Sequence, residues 1–103
     1  MRRGTTPTLT FTTPYEASLW VLERSWITFE QRGMILFSIR LDDESVNVTD
    51  NAVTVTLTQE QTLSMTTADE LSIQIRGIVG ENKAVGSNVV QDTVCPILKD
   101  GEI

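Results

Sequence analysis

The chain contains no histidine, one cysteine and three prolines in 103 residues. Without histidine there is no Ser-His or Cys-His nucleophilic pair, and no imidazole to complete most zinc sites. A lone cysteine cannot close an internal disulfide. The chain therefore gains nothing from an oxidising compartment, and a cytosolic site of folding is expected. Cys95 precedes Pro96 without an obvious activating group, and reads as a small apolar residue rather than a reactive thiol. No apolar run approaches the ~20 residues that cross a bilayer, so no membrane partner is expected. Met1-Arg2-Arg3-Gly4 is basic, but the apolar stretch of a secretory leader does not follow it. Basic residues are few and scattered. Eight Lys and Arg against fourteen Asp and Glu leave a net charge of −6. That balance disfavours a phosphate backbone, and no nucleic-acid partner is expected.

Motifs that carry chemistry are also scarce. There is no Gly-rich phosphate loop. Asp42-Asp43-Glu44 could offer oxygen ligands to calcium, but it lacks the spaced acidic pattern of a dedicated loop and reads as a solvated turn. Glu16, Glu23, Glu30, Glu60 and Glu70 have no apolar neighbourhood that would set two of them up as a glycosidase-like pair. Asn47-Val48-Thr49 matches a glycosylation sequon, which carries no weight without a secretory signal. No catalytic or metal residue and no cofactor is assigned, and the chain is not expected to be an enzyme.

What is present is period-2 alternation rich in Thr, Val and Ile. Residues 8–12 alternate cleanly, with Leu9 and Phe11 on one face, and Pro14 ends the strand. The stretch from Tyr15 to Leu22 reads either as a short helical turn or as a bulged start to the next strand. "WITFEQRGMILF", Trp26 to Phe37, is a hairpin. A two-residue turn at Arg32-Gly33 would pair Phe29 with Leu36 and mix the faces. A three-residue loop, Gln31-Arg32-Gly33, pairs Phe29 with Ile35 and Ile27 with Phe37, and puts all four on one face. That register leaves Trp26, Met34 and Leu36 together on the opposite face. A second hairpin turns at Asp50-Asn51 and pairs Val48 with Val53 and Val46 with Val55. Thr58 with Gln61 three residues later is a capping box, which predicts one helical turn over 58–63 with Leu63 and Met65 closing the core. Residues 70–79 alternate with Leu71, Ile73 and Ile75 inward, and a last strand is expected over about 84–94.

Seven or so short strands with turn signals about every ten residues predict a single domain over residues 1–103. The expected fold is an all-β, antiparallel, immunoglobulin-like sandwich, with a small β-barrel as the alternative. Trp20, Trp26, Met34 and Leu36 are the candidate interface residues. Trp20, flanked by Leu19, Val21 and Leu22, nevertheless reads first as a core residue. The face of Trp26, Met34 and Leu36 is either covered by another segment, such as Tyr15–Leu22, or met by another copy or partner. A tryptophan on an outer sheet face serves either a protein contact or, beside converging polar groups, a sugar. The second use would make the chain a carbohydrate-binding module.

Five stretches carry a resemblance: "RGTTPTLTFTTPYEASL", "ITFEQRG", "VTVTLTQEQTLSM", "SIQIRGIVGENKAVGSNVV" and "ILKDGEI". Together they resemble small proteins encoded among the phage and prophage structural genes of Gram-positive bacteria. The plan is similar to the immunoglobulin-like N-terminal domain of phage baseplate upper proteins, in which a strand also ends in a T-L-T-x-E-x-T turn. The resemblance implies a non-enzymatic tail or baseplate component, made in the host cytoplasm and carried into the virion tail. Its implied partners are other phage structural proteins and further copies of itself. Whether "ILKDGEI" docks on its own chain or on a neighbour's stays open at this level.

Overall fold

The computed structural model describes residues 1–103. Ten short elements follow one another. They are β1 (Thr8–Thr12), a 3-10 turn (Ala17–Leu19), β2 (Trp20–Gln31), β3 (Met34–Arg40), β4 (Val46–Thr49) and β5 (Ala52–Thr56). Helix α1 (Gln59–Leu63), β6 (Leu71–Val79), β7 (Lys83–Gly86) and β8 (Val90–Asp92) complete the chain. Every strand pairing is antiparallel. One sheet runs β1-β5-β4. The other runs β3-β2-β6-β7, with β8 pairing β6 beyond β7. The chain changes sheet after β1, after β3 and after β5, which is the crossing pattern of an immunoglobulin-like sandwich. The fold class is an all-β sandwich of two antiparallel sheets with one capped helical turn.

The core follows from the alternation. Ile27 and Phe29 from β2, Ile39 from β3, and Leu71, Ile73 and Ile75 from β6 face Val53 and Val55 of β5, all of them buried. Leu57 and Met65 close the layer, and a single apolar cluster joins both sheets. The second hairpin has the expected register, Val48 opposite Val53 and Val46 opposite Val55, with Asp50 adopting a positive φ of 51°. The capping box also forms: Thr58 Oγ1 accepts from the Gln61 amide at 3.1 Å, and the Gln61 side chain accepts from the Thr58 amide at 2.8 Å. Of the two residues expected to close the core beyond it, Met65 does so. Leu63 is half-buried and meets Gly4 instead.

Three expectations are corrected. The first hairpin uses the two-residue turn at Arg32 (φ 54°) and Gly33 (φ 75°), with Gln31 opposite Met34. A bulge at Leu36 then restores the phase, so that Phe29 lies opposite Phe37 and Ile27 opposite Ile39. The two phenyl rings stack at 4.7 Å. The bulge turns Ile35 outward, and Leu36 packs against the core. Gln31, expected in a loop, ends β2 with its side chain buried. Its amide nitrogen donates to the Thr66 and Asp69 carbonyls and its oxygen accepts from the Thr66 amide, each at 2.9 Å. Every polar atom of that buried amide thus has a partner, and the 66–69 turn is fixed to the core.

The last strand is split. Ser87 inserts its hydroxyl where a backbone group would sit, accepting from the Ile75 amide at 3.0 Å, so β7 and β8 pair different halves of β6. The Tyr15–Leu22 stretch holds a 3-10 turn that leads directly into β2. The C-terminal segment docks on its own chain. The Cys95 amide donates to the Met1 carbonyl at 2.7 Å, and the Arg3 amide donates to the Cys95 carbonyl at 3.0 Å. The Arg3 guanidinium donates to the Leu63 and Met65 carbonyls and to Asp100, and Gln59 exchanges two bonds with Ile103. No helix is long and apolar enough to cross a membrane.

Candidate functional site

β2 is one strand by its hydrogen bonds but two by its register. Trp20 lies opposite Val79 and Trp26 opposite Arg76. β2 therefore uses six residues where β6 uses three. The extra residues bulge outward across Gly77, and the cause is a close backbone approach. A Cβ on Gly77 would lie 2.1 Å from Ser25 Oγ and 2.8 Å from Ser25 Cα, so only glycine fits under Ser25. The Ser25 side chain is buried. Its hydroxyl donates to the Val21 carbonyl at 2.8 Å and accepts from the Ile78 amide at 3.3 Å, replacing ladder bonds that the bulge interrupts.

This displacement inverts the facing of everything after it. Trp20 points into the core with Val79, while Trp26 emerges on the outer face of the larger sheet, 42% exposed. On that face Trp26 stands between Arg40 of β3 and Arg76 of β6, its direct cross-strand neighbours. The Arg40 guanidinium lies 5.9 Å from the centre of the indole ring. It is held there by Asp42, which accepts from its Nε at 2.8 Å and from its second nitrogen at 2.9 Å. That hydrogen-bonded carboxylate also raises the Arg40 pKa. In the next row Thr28 and Ser38 share a hydrogen bond at 3.0 Å.

The bulge and the sheet together enclose an open cleft of about 430 Å³. It is lined by Trp26, Thr28, Ser38 and Arg76 from the sheet and by Glu23 and Arg24 from the bulge. Arg76 makes no side-chain hydrogen bond or ion pair, and Arg24 has only a long contact to Asn82 at 3.5 Å. The cleft thus offers one aromatic surface, two free guanidinium groups, one carboxylate and two hydroxyls. Of the five glutamates considered for acid–base work, Glu23 alone lines it. The acidic turn is internally engaged: Asp42 holds Arg40, and Asp43 accepts from the Ser45 amide at 3.0 Å and its hydroxyl at 2.6 Å. Those bonds from Ser45 lower the Asp43 pKa.

No protein-family model and no curated protein matches the chain. The reading of the surface therefore rests on its geometry.

Of the four candidate interface residues, Trp20 takes the core position that its apolar neighbours favoured, and the other three lie in separate places. Trp26 flanks the cleft. Met34 lies at the hairpin tip, paired with Gln31, five residues along β2 from Trp26 and so about 17 Å away. Leu36 packs on the core, and Trp20 is buried edge-to-face against Tyr15, with ring centres 5.8 Å apart. The expected outer patch of Trp26, Met34 and Leu36 does not form, because the Leu36 bulge reverses the facing beyond it. The arginines around Trp26 were missed from sequence. One signal pointed to them. Gly77 occupies an inward position in the alternation Leu71-Ile73-Ile75-Val79, where a strand has no use for glycine unless a backbone crosses close by.

Proposed function

We propose that this protein is a non-catalytic interaction module, a phage or prophage virion component that joins a tail or baseplate through protein–protein contacts. The observation that carries the reading is the unpaired edge of β3. Each sheet ends in short strands of three to five residues except at β3, which runs seven residues, Met34–Arg40, with nothing paired to its outer side. At its start stand Met34 and Ile35, 70% and 68% exposed. A free edge of this length invites an added strand, and neighbouring apolar side chains give the added strand something to bury. The resemblance to baseplate upper domains supplies the context: a host-made protein carried into the particle, with an extended strand of a neighbouring virion protein as the partner. A second copy of the chain is the alternative occupant.

The test is mass spectrometry of purified particles from the phage or induced prophage that encodes the chain, with light scattering of the isolated protein over a concentration series. The expected result is the chain in the particle, and its loss from particles when Met34→Lys and Ile35→Lys place charges on the edge. Defined dimers or larger rings in solution, lost in the same variant, would assign the edge to a second copy. A chain absent from particles and monomeric at every concentration sinks the reading.

A further inference from the structure

We propose that the cleft beside Trp26 is a binding site for a saccharide whose pyranose ring carries an acid group, carboxylate or phosphate. The site is distinct from the β3 edge and does not depend on it.

Three observations converge. First, the cleft volume of about 430 Å³ falls within the roughly 300–1,000 Å³ of small-molecule sites. Second, the aromatic wall is half-exposed and fixed. Arg40, itself locked by Asp42, lies over the Trp26 ring and lines a neighbouring depression rather than this one. Trp26 lines this cleft as well as that depression, so the ring is shared between Arg40 and the cleft. A pyranose presents a face of C–H groups that packs on such a surface, and leaves its hydroxyls to the rim. Thr28, Ser38 and Glu23 stand on that rim to exchange hydrogen bonds. Third, the charge at this spot opposes the charge of the chain. The protein carries −6 overall, yet Arg24 and Arg76 both line the cleft without a carboxylate partner. Guanidinium groups recognise carboxylate and phosphate through paired N–H donors. Stacking on Trp26 selects a sugar ring, and Arg24 with Arg76 selects the acidic one.

The bulge makes this a built arrangement. Glu23 and Arg24 reach the cleft only because β2 loops outward over Gly77, and Trp26 faces it for the same reason. Bulges recur where a strand must re-aim a side chain at a ligand.

The chain has two tryptophans, so its ¹H–¹⁵N spectrum contains two indole signals, one from buried Trp20 and one from Trp26. Titration with a galacturonate trisaccharide, with a glucose phosphate, with cellotriose and with inorganic phosphate separates the contributions. The expected result is movement of the Trp26 signal with at least one acidic sugar while the Trp20 signal stays still. Whichever of the two acts names the acid group. Cellotriose and inorganic phosphate should each bind at least about tenfold more weakly. By calorimetry, Arg76→Gln should weaken acidic-sugar binding about tenfold, and Trp26→Ala should abolish it. The Met34→Lys, Ile35→Lys variant should keep it. Equal affinity for cellotriose overturns the acidic requirement. Equal affinity for inorganic phosphate overturns the saccharide. A Trp26 signal that none of the four moves overturns the site, and leaves the assembly reading where it was.

Discussion

Trp20 and Trp26 sit on the same strand, six residues apart, and six is an even number. In an unbroken strand they would face the same way. Here Trp20 is 8% exposed, packed on Tyr15 and the core, and Trp26 is 42% exposed, flanked by two arginines. The difference has nothing to do with the tryptophans themselves. It arises at Ser25, where a close crossing over Gly77 inserts an odd number of residues into β2. One strand thus serves two purposes. Trp20 at its start finishes the core. After the bulge, Trp26, Thr28 and Glu30 face outward while Ile27 and Phe29 resume the core. Trp20 carries a cost in its place: its indole N–H is buried without a hydrogen-bond partner. Such a group weakens the fold by about 1–3 kcal/mol relative to a satisfied one.

The comparison can be broken most directly at Gly77. Gly77→Ala puts a methyl into the Ser25 backbone, which cannot move without undoing the bulge. A loss of at least about 3 kcal/mol in chemical denaturation is expected. Wild-type stability in that variant would mean that the crossing does not set the facing of the two tryptophans. An effect of the same size lies at Trp20, and a much smaller one at Trp26. Trp20→Ala should cost about 3–5 kcal/mol through the cavity it leaves. Trp26→Ala removes an exposed ring and one cation–π contact, and should cost about 1 kcal/mol or less. Acrylamide quenching should follow the same split, with Trp26 quenched and Trp20 protected. Equal costs at the two positions would place Trp26 in the core after all.

The smallest effect is electrostatic and is read on the Trp26 side. Hydrogen bonds from Ser45, first through its hydroxyl and then through its amide, lower the Asp43 pKa in the folded chain. A carboxyl group with a lowered folded pKa adds stability above its ordinary unfolded value near ~4, and loses it as pH falls through the lowered one. The group is exposed, so solvent screens the effect and keeps it small. During acid titration the turn after β3 should hold until pH falls below the ordinary carboxyl range, and loosen there. That step should move the Trp26 indole signal and leave that of Trp20 still, and Asp43→Asn should remove it. Simultaneous movement of both signals would mean that the turn and the core titrate as one unit.

Much of this was legible in the amino-acid order. The Asp50-Asn51 hairpin, the Thr58–Gln61 cap, the inward Leu71, Ile73 and Ile75 and the two-sheet architecture each follow from patterns a few residues long. The first hairpin shows where that legibility stops. Gly33 at a third loop position and the alternation both pointed to a three-residue loop, and the structure uses a two-residue turn instead. A bulge at Leu36 then returns Phe37 and Ile39 to the core side, a device the local pattern does not reveal. Gln31 shows the same limit from the polar side. Next to a turn, a glutamine reads as exposed until the carbonyls of Thr66 and Asp69, more than thirty residues away, arrive to bond it.

The sequence by itself therefore determined the class of fold, most of the strands, the capped turn and the membership of the core. Local propensity, turn chemistry and burial of alternate side chains act over a few residues and leave their period in the chain. Tertiary structure alone decided how one strand turns the two tryptophans opposite ways, which arginines gather beside Trp26, and where Met34, Ile35 and Leu36 point. A bulge is set by what crosses it, here Ser25 on Gly77, and one inserted residue reverses every side chain that follows.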